Sequence, residues 1–299
     1  TGEDTLSLHD ALPISRALLE RALAISTRAY GPDHPDVALN LGNLALVLYE
    51  QDDGPGAREL HRRALAIAEP ALGQGHPTVA AMLANLATTH LALGELEPAR
   101  DLLTRALAIE EKTYGPDHPE VAATVTNLAT IDGMLGDFPA ARARHERALA
   151  IFERSLGQAH PDLSVPLVNL GEILLFQDDP AGAGRHFARA LQISEASLGP
   201  DHEHVARALL GLADVAVAEH RPADALPLLD RVEQIGRGLP SPDMGRRARF
   251  TRAAALWATD QRRPARDLMT ALHAELTAAA DDPKRLADVD LWLREHPAP

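Results

Sequence analysis

The dipeptide His-Pro stands at His34-Pro35, His76-Pro77, His118-Pro119 and His160-Pro161, 42 residues apart each time, and His202 keeps the phase with Glu203 in place of proline. Two further series run in step with it. Arg-Ala-Leu recurs at residues 21–23, 63–65, 105–107, 147–149 and 189–191, and asparagine recurs at Asn43, Asn85, Asn127 and Asn169. Three registers on one period restrict the chain to a stacked array, in which each unit covers an apolar face that its neighbour cannot bury alone.

The period divides into two helices. Val37, Leu41, Leu44 and Leu48 follow three-and-four spacing and share one face of the first. Ala57, Leu60, Ala64 and Ile67 or Ala68 form the stripe of the second, with small residues that let paired helices approach closely. Gly73, Gly115, Gly157 and Gly199 close each period as helix stops. The proline after each histidine suits a first helical position, so the histidines are predicted to be turn residues that help cap the following helix. Stacking holds equivalent residues about one helix diameter apart, on the order of 10 Å, whereas a zinc–nitrogen bond is about 2.1 Å. The histidine series therefore cannot share a metal. His202-Glu203-His204 is a weak local alternative without a further ligand in view.

Composition narrows the partners. The net charge is −14, and the basic residues are dispersed, which leaves little to neutralise phosphates and argues against nucleic acid. There is no cysteine, in keeping with a reducing compartment, and the cytoplasm is the expected location. No apolar run approaches the roughly 18 residues of a membrane span, so no membrane partner is expected. Neither a phosphate loop, a Gly-x-Ser-x-Gly elbow nor a His-Glu-x-x-His motif occurs; the chain reads as a non-enzyme with no catalytic residues, no cofactor and no metal.

The segments "GPDHPDVALNLGNLALVLYE" and "GPDHPEVAATVTNLAT", with "RALAIEEKTYG" between them, resemble tetratricopeptide repeats of the kinesin-light-chain type. The resemblance covers nearly the whole chain from Arg16. It implies an all-α, right-handed superhelical solenoid of helix–turn–helix repeats closed by a C-terminal capping helix, with the first helices lining a concave groove that binds extended peptides.

On this reading a half repeat spans 16–30, and repeats follow at 31–72, 73–114, 115–156, 157–198, 199–240 and 241–280, with the capping helix and tail at 281–299. In the fifth and sixth repeats Gly211 and Ala253 replace the asparagine, while Arg221-Pro222-Ala223 recurs as Arg263-Pro264-Ala265. Leu286, Val289, Trp292 and Leu293 share one side of the last helix, and Trp257 and Trp292 are read as cap packing. Residues 1–15 fit no register, and "LSLHDALPIS" reads as translated sequencing adapter, so they are taken as a non-native or disordered leader to a truncated chain. The helix from Arg16 then has an uncovered face available for self-association. The C-terminal stretch resembles the repeat region of bacterial, myxobacterial-type serine/threonine kinases, which makes a kinase docking or regulatory arm the alternative to an independent scaffold.

The expected function is a protein-interaction scaffold that holds an extended peptide or partner domain. Asn43, Asn85, Asn127 and Asn169 are the leading groove candidates, because a side-chain amide pairs with peptide backbone irrespective of sequence. The same amides could instead bridge helices within the array. Beside them stand Leu39, Ala81, Ala123 and Val165 on one side and Leu46, Thr88, Thr130 and Glu172 on the other. No basic clamp accompanies the asparagines, so the floor reads as neutral and apolar, with Arg207 the one basic exception, and a partly hydrophobic peptide is expected. Arg63, Arg105, Arg147 and Arg189 read as a solvated face with four-apart pairs such as Glu59–Arg63 and Asp101–Arg105.

Overall fold

The computed structural model describes residues 8–237 and 242–297, and every regular element among them is helical. Two compact units divide inside one helix. The first, Thr1–Ile151, holds α1 (Leu8–Tyr30), α2 (Pro35–Glu50), α3 (Gly54–Leu72), α4 (Pro77–Ala92), α5 (Leu96–Tyr114), α6 (Pro119–Met134) and most of α7 (Phe138–Leu156). The second, Phe152–Pro299, holds α8 (Ser164–Phe176), α9 (Pro180–Leu198), α10 (Glu203–Ala218), α11 (Pro222–Gly236), α12 (Pro242–Ala258), α13 (Arg262–Ala279) and α14 (Pro283–Glu295). Of the segment read as a leader, residues 1–7 lie outside the described residues and 8–15 belong to the helical run of α1.

The histidine period acts at the helix starts. His34, His76, His118, His160 and His202 are N-caps in extended backbone, and each Nδ1 accepts the amide N–H two residues on, at 3.1–3.3 Å. That bond satisfies one donor that no carbonyl in the first turn can reach. At four of them a proline follows as the first helical residue. Second helices start differently: Asp53, Asp137 and Asp179 accept from the amides of Gly56, Ala140 and Gly182 at 2.8–3.1 Å. Helices α3, α5, α7 and α9 end on glycines in the left-handed region, with φ of 89° at Gly73 and 88° at Gly115, a conformation that costs a residue with a β-carbon.

Packing within each unit is between consecutive helices, and first helices also touch one another: α2 meets α4, α8 meets α10, and α10 meets α12. The predicted stripes are the core. Val37, Leu41, Leu44 and Leu48 are buried, as are Ala57, Ala64 and Ala68. In unit 2, Val289 and Trp292 of α14 close the array over Met269, Leu272 and Leu276. Trp257 and Trp292 meet edge to face at 5.6 Å as cap packing.

The 42-residue phase slips before the last repeat. Helix α12 begins at Pro242, 39 residues after the first residue of α10, and Met244, Ala248 and Ala255 take the buried positions that Val205, Leu209 and Ala216 hold in α10. Ala265 likewise follows Ala225 by 40 residues. Ala253 is therefore a core alanine rather than the asparagine equivalent, and the match between Arg221-Pro222-Ala223 and Arg263-Pro264-Ala265 does not follow the packing.

Candidate functional site on the first helices

In unit 1, Asn43 and Asn127 are exposed on α2 and α6, and Asn85 is half-buried on α4. Among the described residues no protein group accepts from or donates to these three amides. Leu39 and Leu46 flank Asn43 and stay exposed despite their size. Thr88 and Thr130 donate their hydroxyls to Ala84 and Thr126 of their own helices, at 3.1 and 3.0 Å. The unit 1 face therefore combines apolar side chains with unengaged amides and carries no charge at these positions.

The row in unit 2 is different. Asn169 is half-buried on α8, and Gly211 stands where the next asparagine would be. Glu172 accepts from Arg247 of α12 at 2.5 Å, and the same guanidinium donates to Asp214 at 2.7 Å, whose other oxygen accepts from the Thr251 hydroxyl at 2.7 Å. Burial opposes the charge on Arg247, but the Asp214 and Glu172 carboxylates outweigh it and raise its pKa. Half-buried Arg207 forms no ion pair among the described residues. It shares a cavity of about 280 Å³ with Glu172, Glu203, Asp243, Met244 and Arg247. In unit 2 Arg207 is therefore not the single charged exception on the row, since Glu172 and Arg247 stand beside it. Arg247 was obscured because the uninterrupted 42-residue phase aligns it with core Val205.

The arginine series also corrects expectation. Arg105 meets Glu69 at 2.5 Å and Arg147 meets Glu111 at 2.6 Å in unit 1; Arg189 meets Glu153 and Arg231 meets Glu195, both at 2.5 Å, in unit 2. Each pair joins the second helices of consecutive repeats. Arg147, Arg189 and Arg231 also donate to the backbone carbonyls of Pro116, Gln158 and Pro200. The pairs are inter-repeat ties rather than four-apart pairs on a solvated face. Their signal was present in sequence, since Glu69, Glu111, Glu153 and Glu195 keep the same period. Arg63 lacks a rung because Thr27 occupies the glutamate register. His202 is committed to capping α10, while burial, ahead of the charges of His202 and Arg207, lowers the pKa of His204. No group of three or more metal-ligating side chains converges among the described residues, and no described helix is long and apolar enough to cross a membrane.

The model of the tetratricopeptide repeat matches residues 10–69, 39–112, 78–154 and 162–238. No curated protein sequence matches the chain. Among solved structures, the chain is similar to BtubC (BKLC) from P. vanneervenii at 22% identity and a TM-score of 0.64, covering 78% of this chain and 95% of that one. It is similar to a putative kinesin light chain with nearly identical repeats from P. anserina at 24% identity and a TM-score of 0.57, covering 70% and 99%. A Rap protein complexed with Competence and Sporulation Factor aligns at 14% identity and a TM-score of 0.60 over 99% and 90%. At these identities the likeness concerns the fold.

Proposed function

Because the chain belongs to the tetratricopeptide-repeat family, we propose that it is a non-catalytic protein-interaction scaffold whose unit 1 first helices hold an extended, partly hydrophobic peptide in the cytoplasm. The observation that carries this reading is the set of unengaged amides on Asn43, Asn85 and Asn127, repeated at 42-residue intervals. Amides that bridged helices within the array would have protein partners; these have none among the described residues. An amide offers two donors and an acceptor, a match for peptide backbone, and exposed Leu39 and Leu46 supply apolar contact beside it. Glu172 and Arg207 belong instead to the charged part of the row in unit 2.

Peptide display against the whole chain, repeated with Asn85→Ala and Asn127→Ala together, tests the reading. Enriched peptides should lose binding to the double variant while its melting temperature stays unchanged. Failure to enrich any peptide, or a melting point that falls in step with binding, would overturn it.

Self-association through α1 is a second proposal with its own observation. Leu18 and Ile25 are 61% and 60% exposed, whereas Leu102 and Ile109 in the same registers of α5 pack against the core of the preceding repeat. Sedimentation velocity should show concentration-dependent dimers that Leu18→Glu with Ile25→Glu converts to monomer. A monomer at every concentration excludes it.

A further inference from the structure

A buried histidine stands behind one rung of the asparagine row. In unit 2 the ring of Phe187 lies between α8 and α10, against the positions that β-carbons on Gly171 and Gly211 would take. Three periods of 42 residues earlier the same positions are His61, Ala45 and Asn85. The phase holds over that distance: α3 and α4 start at Gly54 and Pro77, and α9 and α10 start at Pro180 and Glu203. The side chain of His61 in α3 is thus directed between Ala45 of α2 and Asn85 of α4.

The residue in this register differs behind each asparagine of unit 1. Leu19 lies behind Asn43, His61 behind Asn85 and Leu103 behind Asn127. Asn43 and Asn127 are exposed, whereas Asn85, with the imidazole behind it, is half-buried. His61 itself is 1% exposed, and its Nε2 has no hydrogen-bond partner among the described residues. Burial holds its pKa at about 4, so the ring is neutral at pH 7. A neutral imidazole nitrogen donates or accepts according to its tautomer, and an amide can answer either. Two unpartnered polar groups therefore face one another between α3 and α4, one buried and the other opening on the groove.

In the free chain the Asn85 amide keeps its water, which a bond to His61 would displace for little net gain. A peptide backbone laid on Asn85 strips that water away. The amide then has its outer end on the peptide, and an inner end left unmatched beside an unmatched imidazole in a dry site is costly.

We propose that His61 is the positioning residue of this groove: on peptide binding its Nε2 takes the inner end of the Asn85 amide and so holds the outer end in one orientation against the peptide backbone. Resting on the groove reading above, this makes Asn85 the rung that sets the register of the peptide, since an amide held at one end cannot turn over to exchange its donor and acceptor. Asn43 and Asn127, backed by leucine, keep that freedom and grip without selecting.

A peptide enriched by display on the whole chain is the probe, and calorimetry measures its affinity. His61→Leu introduces the residue found at 103 and 229. It should melt no lower than the wild type and bind the peptide about fivefold more weakly, the worth of one net hydrogen bond. His61→Gln, which restores a polar end, should recover most of the loss. In an Asn85→Ala background His61→Leu should have no further effect, whereas in an Asn127→Ala background its full effect should persist. Should the histidine variants fail to fold, the wild type decides: the Nε2 resonance of His61 should shift when the peptide is added and stay in place when the peptide is added to Asn85→Ala. The proposal is overturned if His61→Leu binds like the wild type, if its loss adds fully to that of Asn85→Ala, if His61→Gln recovers nothing, or if the resonance does not move. A display that enriches no peptide, or a peptide whose affinity survives both asparagine substitutions, overturns the groove reading instead and this proposal with it.

Discussion

The ring of Phe187 in α9 fills the space that a β-carbon on Gly211 in α10 would need, and it presses on Gly171 of α8 from the same position, within 2.7 Å of where that β-carbon would lie. The asparagine row therefore ends at Gly211 because Phe187, the largest fully buried side chain among the described residues, stands behind it. In the register of Phe187, α3, α5, α7 and α11 carry His61, Leu103, His145 and Leu229. Only phenylalanine demands two glycines.

Restoring the row by Gly211→Asn should destabilise the chain by about 1–3 kcal/mol, the usual cost of forcing atoms into a packed core. Thermal melting should show the loss. Pairing the change with Phe187→Leu, the residue found at 103 and 229, should recover most of it.

Burial holds the His61 imidazole down at about 4, from an ordinary value of 6.5, and its Nε2 has no hydrogen-bond partner. The unfolded chain binds this proton at higher pH than the folded chain does. The stability involved is thus fully present above about pH 6.5 and is lost as pH falls toward 4, by roughly 3 kcal/mol for this one group. His61→Leu should remove that slope and raise the melting temperature at neutral pH. Denaturant unfolding at several pH values measures both effects.

Glu110 gives the opposite sign. Burial raises its pKa, ahead of the lowering effect of the Thr124 hydroxyl and the raising effect of the Glu120 charge, and Oε2 has no hydrogen-bond partner. Here the folded chain holds the proton more tightly. The contribution is present below the ordinary carboxyl range and lost as pH rises through the raised folded value. Glu110→Gln should melt higher than the wild type at pH 7, and the difference should close as pH falls.

The tie between Arg147 and Glu111 is partly exposed on both sides. A double-mutant cycle to alanine should return a coupling of about 0.5 kcal/mol, within the range for such pairs. Repeating the cycle in about 1 M salt should shrink the coupling, since the Debye length there is about 3 Å. A coupling unchanged by salt would mean that the guanidinium acts through packing.

The helix pairs, their caps and their core stripes were legible in sequence because they depend on spacing within one period: Pro35 after His34 starts a helix, Gly73 ends one, and Val37, Leu41 and Leu44 must share a face. The asparagines could also be placed on first helices. Whether they bridge helices or face outward depends on neighbours in other repeats, which a linear spacing does not give.

The 42-residue period, together with the three-and-four spacing of the apolar residues within it, determined an all-helical array. Tertiary structure alone decided the shortened last repeat and the Arg247 ties that charge the row in unit 2. These rest on contacts between helices. A three-residue slip leaves each helix locally satisfied while changing every neighbour it meets, and so the period predicts the array but not which charges come together within it.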